Sequence, residues 1–175
     1  TGGDGRVLIP QVKELRTFGQ NALGELRNII SDLRPPQLDD LGLAAALRWY
    51  IQAYEKRRQM TVQFSVEGDD AAVPAEYGTV LFRIAQEALT NIAKHAEAQG
   101  IQLRLGRVGG RVRLSVTDDG RGFDSASVTT QGLGLITMRE MAAFCGAEFS
   151  LVSSPGGGTR VQVDLNEEGS QVCVV

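Results

Sequence analysis

Leu15, Phe18, Ala22, Leu26, Ile29 and Leu33 recur at steps of three and four residues, so the early part of the chain carries one apolar stripe of helical period. Pro10 suits the first turn of that helix, and Pro35-Pro36 stops it by removing backbone donors. The stripe needs a partner, either the body of the domain or another helix in a bundle. A second helix is predicted over 43–58, with Leu43, Leu47, Ile51 and Tyr54 inward and Asp39 or Asp40 as cap. The period then changes to two over 60–66, where Val62, Phe64 and Val66 alternate with polar residues as in a half-buried strand. A turn at Gly68-Asp69-Asp70 follows, and Pro74 opens a long helix through about Ala96, ended near Gly100. Strands over 101–108 and 111–117 flank Gly109-Gly110, a hairpin signal. A polar loop over 123–131, a helix over 135–145 and a strand pair over 148–153 and 159–165 complete the pattern. Residues 1–9 offer little to pack, and the tail from Asn166 is expected to fray. Helices and a mostly antiparallel sheet in two layers make an α/β fold in the broad sense, α+β rather than doubly wound.

Composition narrows the chemistry. With 175 residues and 42% apolar content the chain can hold one compact domain and an appendage. A net charge of −3, from 18 basic and 21 acidic residues, gives no reason to expect nucleic acid as partner. The apolar runs are too short to span a bilayer and no secretory leader is visible, so no membrane contact is expected. Cys145 and Cys173 lie far apart and form neither a disulfide framework nor a metal pattern, which fits a reducing cytoplasm. The single histidine, His95, excludes a His-rich metal site.

Four polar or glycine-bearing segments stand out in fixed order. On the long helix, Glu87, Asn91, Lys94 and His95 fall at i, i+4, i+7 and i+8, one stripe beside the apolar arc of Leu81, Ile84, Ala85, Ala88 and Ile92. The Asn91 amide oxygen is a fair Mg²⁺ ligand when phosphates supply the charge, and Lys94 offers a point charge to phosphate. Taken alone, a solvated helix face accounts for the stripe. Asp118-Asp119-Gly120-Arg121-Gly122 begins where a strand ends. A carboxylate there can accept from an exocyclic amine such as adenine's, with Gly120 and Gly122 permitting positive φ or close approach; an ordinary Asp-Gly turn is the bland alternative. Gly132-Leu133-Gly134 opens a helix whose free N–H groups attract anions, or is simply a linker. Gly156-Gly157-Gly158-Thr159 is a hairpin turn, with a hydroxyl at Thr159 beside the Asp118 carboxylate. None decides alone; their joint order points to a site that wraps backbone around a phosphate-bearing ligand.

That order resembles the ATP-binding domain of sensor histidine kinases, within the group shared with DNA gyrase, mismatch-repair ATPases and ATP-driven chaperones. Residues 81–96 look like the family's N box, Asp118–Gly122 like its Asp-x-Gly-x-Gly box, Gly132–Leu135 followed by Met138-Arg139-Glu140 like its second glycine box, and Pro155–Thr159 like its third. Leu26-Arg27-x-x-Ile30-x-Asp32-Leu33-Arg34-Pro35-Pro36, with Asp39-Asp40-Leu41-Gly42-Leu43, resembles the junction in kinases of the NarX/DesK type, where the second helix of a dimerisation and phosphoacceptor hairpin runs into the ATP domain.

The resemblance implies an α/β sandwich, a mixed sheet covered on one face by three helices and preceded by an N-terminal helix. It implies a flexible 1–9, the end of the hairpin over 10–36, the catalytic domain over 37–166 and a tail over 167–175, with a short lid over 124–131. Asp118 is then expected to bind adenine, Gly120 and Gly122 to shape that side of the pocket, and Asn91 to coordinate Mg²⁺ between phosphates. Gly132 and Gly134 hold the lid end near the phosphates, Thr159 sits beside Asp118, and Lys94 and His95 touch phosphate. Glu87 is the ambiguous member: in related ATPases the acid here activates water. The implied reaction is transfer of the ATP γ-phosphate to a histidine, for relay to a response regulator, in a full-length protein that dimerises and is often membrane-anchored. Nothing in the chain matches the acceptor helix, and His95 lies in the N box, so a fragment that binds ATP without labelling itself is expected. A gyrase- or chaperone-like ATPase and a nucleotide-gated interaction module are the alternatives.

Overall fold

The structure, a computed structural model, describes residues 36–68, 73–108, 111–124 and 133–166. The predicted helix over 10–33, the lid over 125–131, Gly132, the Gly109-Gly110 turn and the tail from 167 lie outside the described residues. Within them the order is α1 (Pro36–Arg58), β1 (Val62–Glu67), α2 (Ala75–Asn91), a π-turn (Ile92–Ala96), β2 (Ile101–Val108), β3 (Arg111–Asp118), α3 (Leu133–Phe144), β4 (Glu148–Ser153) and β5 (Thr159–Asn166).

Helix α1 starts earlier than the pattern predicts. Pro36 is its first residue, consistent with proline's fit to an opening turn. Gly42 interrupts it with non-helical φ 78 and ψ 176, so the predicted 43–58 segment is the part that follows this kink. Asp39 lies in the first turn of the helix. Leu43, Leu47, Ile51 and Tyr54 are all buried, as their spacing predicts. The Tyr54 hydroxyl donates to the Leu89 carbonyl at 3.0 Å, tying α1 to α2. Burial, above all, pushes that phenol up to about 12, so it stays a donor throughout the neutral range.

The five described strands run in the order β1-β2-β3-β5-β4. Only β1 and β2 pair in parallel; β2–β3, β3–β5 and β4–β5 are antiparallel, so the sheet is mixed. The parallel pair follows from a long crossover through α2, whereas short connections join the antiparallel neighbours β2–β3 and β4–β5. Alternation sends Ile101, Leu103, Leu105, Val112, Leu114, Val116, Val161, Val163 and Leu165 to one buried face, where the helices lie. Cys145 is buried and disulfide-bonded, which corrects the expectation of two unlinked thiols. Among the described residues no helix is long and apolar enough to cross a membrane.

Candidate functional site

The site is built where α2 ends against the ends of β3 and β5. Asn91 is the last residue of α2, and the chain continues through the wider Ile92–Ala96 turn to Glu97, which sits left-handed at φ 54. A π-turn carries an extra residue and changes the helical phase, which commonly re-aims side chains at functional positions. Here Asn91 stays half-buried, His95 reaches a cavity wall and Lys94 faces solvent. The Ala96 carbonyl accepts from the Arg121 N–H at 2.8 Å, so the end of the helix is docked on the loop after β3.

Asp118 takes its position from strand alternation. Val112, Leu114 and Val116 point to the core, and Asp118 continues that face at the strand's end, only 6% exposed. Its Oδ1 accepts the Gly120 N–H at 2.8 Å. Burial raises its carboxyl above the ordinary range; the backbone N–H groups of Gly120 and Thr159 pull the other way, and the charge of Asp119 adds to the rise. Asp119 has the opposite setting. It is exposed, and its Oδ1 accepts the N–H groups of Gly100 and Gln99, each at 2.8 Å, which hold its carboxyl below the usual range. Of two adjacent acids, one is aimed inward and the other clamps the loop before β2.

The glycines of the first and third boxes pack against protein backbone. A Cβ on Gly120 would lie 2.3 Å from the Ala96 carbonyl oxygen, and one on Gly122 would lie 2.1 Å from that of Ser154. Gly122 also has φ 56. A Cβ on Gly158, itself at φ 70, would lie 2.0 Å from the Asp118 carbonyl oxygen. The Gly156 N–H donates to the Arg121 carbonyl at 2.7 Å, closing the two loops on each other. Helix α3 begins at Leu133, two residues ahead of the predicted 135–145, so Gly134 lies inside its first turn. A Cβ there would meet Glu87 Oε1 at 2.0 Å and Asn91 Nδ2 at 3.3 Å. Glu87 and Asn91 are thereby brought against the start of α3.

Between these parts lies a cavity of about 290 Å³. Ala88, Ile92, Val116, Leu135, Met138 and Val161 make its apolar walls. Asn91, His95, Asp118 and Thr159 bring polar groups to it, and Gly122 and Gly134 border it. Lys94, Glu87 and Gly120 are not among its lining residues. Such a pocket, mostly apolar with a few convergent polar groups, is the usual form of a small-molecule site. Sequence reasoning missed Ser153. Its hydroxyl accepts the Phe123 N–H at 3.0 Å, donates to the Gly158 carbonyl at 2.9 Å and meets the Thr159 hydroxyl at 3.0 Å. Having one proton and spending it on Gly158, Ser153 receives the proton of Thr159. The pairing of Ser153 with Thr159 across β4 and β5 was available only once their register was known.

Known proteins share this architecture. Residues 77–169 match the family model described as histidine kinase-, DNA gyrase B-, and HSP90-like ATPase. The signal transduction histidine-protein kinase/phosphatase DegS of Brevibacillus brevis is 30% identical over 157 residues, covering 90% of this chain and 41% of that protein. The sensor histidine kinase MctS of Rhizobium johnstonii is 39% identical over 142 residues, covering 79% of this chain and 30% of that one. The chain therefore spans less than half the length of these curated relatives. Among solved structures, the histidine kinase domain of a blue-light activated histidine kinase from Erythrobacter litoralis superposes with a TM-score of 0.59 at 28% identity, covering 70% of this chain and 64% of that one. With the matched region spanning more than half of its residues, the chain belongs to the family of histidine kinase-, DNA gyrase B-, and HSP90-like ATPases.

Proposed function

We propose that the chain is the ATP-binding catalytic domain of a two-component sensor histidine kinase, with residues 10–36 as the end of a dimerisation hairpin and 37–166 as the catalytic domain. The observation that carries this reading is the buried Asp118 carboxylate in an otherwise apolar pocket, with Asn91 also on its wall. Its Oδ1 is engaged by Gly120, and a purine's exocyclic amine suits the remaining acceptor capacity. The flat apolar walls suit the base itself.

ATP supplies the transferable phosphoryl group, and Mg²⁺ offsets the charge of its phosphates. Among the described residues no group of three or more acidic, histidine or cysteine side chains forms a metal cage. A single amide ligand, Asn91, fits a magnesium ion held mainly by phosphate and water. Gly134 and the start of α3 offer N–H groups toward the phosphate side, with Gly132 and His95 assisting and Lys94 acting from solvent. Thr159, held by Ser153, keeps its oxygen beside Asp118. Glu87, placed against Gly134, is the acid available to accept a proton from an incoming nucleophile. The acceptor histidine, the response regulator that receives the phosphoryl group and a cytoplasmic setting complete the proposal.

Titration calorimetry with ATP and ADP, with and without magnesium, tests it. Binding should depend on magnesium for ATP and fall at least about tenfold in Asp118→Asn, a loss of one charge-assisted hydrogen bond. Equal affinity in the variant removes the adenine role of Asp118. Steady phosphate release without any acceptor, abolished by Glu87→Gln, would favour the hydrolytic reading instead.

A further inference from the structure

Helices α1, α2 and α3 lie on one face of the sheet, and none of them covers the other. Strand alternation sends Gln102, Arg104, Arg113, Ser115, Arg160 and Gln162 to that open face. Its charges are not all matched. Arg111 pairs with Glu148 at 3.1 Å, and Arg113 pairs with Asp164. Arg104 and Arg160 have no carboxylate partner among the described residues. Arg104 Nη2 donates to Gln102 at 3.1 Å, and Arg160 Nε donates to the Thr117 hydroxyl at 3.3 Å. Both guanidiniums border a hollow of about 210 Å³. Ser115 and Thr117 lie between them on β3, and Gly106, packed closely against the Glu67 backbone, also lines the hollow.

We propose that this hollow is a docking site for an acidic segment of a partner protein, read by Arg104 and Arg160. The occupant follows from charge and spacing. Arg104 stands opposite Ser115 on β2, and Arg160 stands opposite Thr117 on β5, so the two straddle β3. Two strand spacings across the sheet and a two-residue offset along it put their backbone positions roughly 12 Å apart, and an extended peptide repeats its side chains on one face about every 7 Å. Two carboxylates on alternate or next-alternate residues therefore meet the two cations, while the Ser115 and Gln162 side chains supply hydrogen bonds between them. A nucleic acid does not fit: polyphosphate binding needs many cations in a row, whereas this hollow offers Arg104 and Arg160, Arg113 being already paired with Asp164.

The test is fluorescence anisotropy of a labelled hexapeptide of alternating glutamate and alanine, with its glutamine counterpart as control, titrated with the whole chain. The glutamate peptide should bind, the glutamine peptide should not, and R104E/R160E should weaken binding at least about tenfold. R104Q/R160Q, checked by an unchanged thermal unfolding curve, should show a smaller loss and guard against misfolding of the reversed pair. Absence of binding, equal binding of both peptides, or equal affinity in R104E/R160E overturns the proposal. So does duplex DNA that binds the same face with the same loss, or a dimer in sedimentation that the reversal splits, since either assigns the face to another occupant.

Discussion

Asp118 and Asp119 share a peptide bond and differ in nearly everything else. Burial holds Asp118 above the ordinary carboxylate range, so its charge opposes folding: stability is greatest below the unfolded pKa, near 3.8, and declines as pH rises through the higher folded value. Asp118→Asn keeps a carbonyl oxygen for the Gly120 N–H and removes that charge. It should therefore raise the melting temperature at pH 7 while lowering nucleotide affinity. Scanning calorimetry showing a lower melting temperature would contradict this. Nucleotide affinity should also fall on acidification, starting above the usual carboxylate range as Asp118 takes up its proton. Asp119 has the reverse sign: its backbone donors depress its pKa, so its contribution is present above the unfolded value and lost as pH falls through the folded one. Gly158→Ala meets both a positive φ and the Asp118 carbonyl, and should destabilise the fold by roughly 3 kcal/mol or more in denaturant titration. The sequence made the Asp and Gly positions conspicuous by residue type. It did not reveal that Gly120, Gly122 and Gly158 are required by one another's loops, because that crowding exists only between segments far apart along the chain.

The elements themselves were largely legible, because β2, β3, β4 and β5 each bury one face and alternate accordingly. Residue patterning was blind to the π-turn over Ile92–Ala96, since a single extra residue leaves the apolar spacing of a helix almost unchanged. It therefore placed Lys94 and His95 in one stripe, whereas the turn sends them different ways. The helix start at the second glycine box was legible, but its packing was not: Gly134 lies in the first turn of α3 against Glu87, a tertiary contact that offsets glycine's weak helix propensity. The apolar pocket walls were indistinguishable from core, because Val116 and Val161 use the same chemistry as Leu114 and Val163. Glu97 closes the turn at φ 54, a conformation glycine adopts without strain. Its ion pair with Arg121 spans 3.5 Å between exposed groups and contributes little. Glu97→Gly should thus stabilise the domain by about 0.5–1 kcal/mol, read as a higher denaturant midpoint at unchanged slope. A lower midpoint would mean that the Glu97 side chain does more than the geometry indicates.

Across the described residues, the two faces of the sheet differ: one carries the helices and the pocket, the other carries arginines with and without a carboxylate partner. In the proposed kinase the acceptor histidine is not supplied by the described residues, and His95 belongs to the pocket wall. Incubation with γ-labelled ATP should leave the chain unlabelled, while an added chain bearing the acceptor helix should become labelled; label on His95 would refute this division of labour. The strand order has a further bearing, on synthesis. β5 lies between β3 and β4, and Thr159 is the cross-strand partner of Asp118. A ribosome that has released everything up to α3 has therefore delivered a sheet with an unpaired edge and an acid without its neighbour. The pocket is thus completed only once Thr159–Asn166 has been made, and until then β3 stays an open edge.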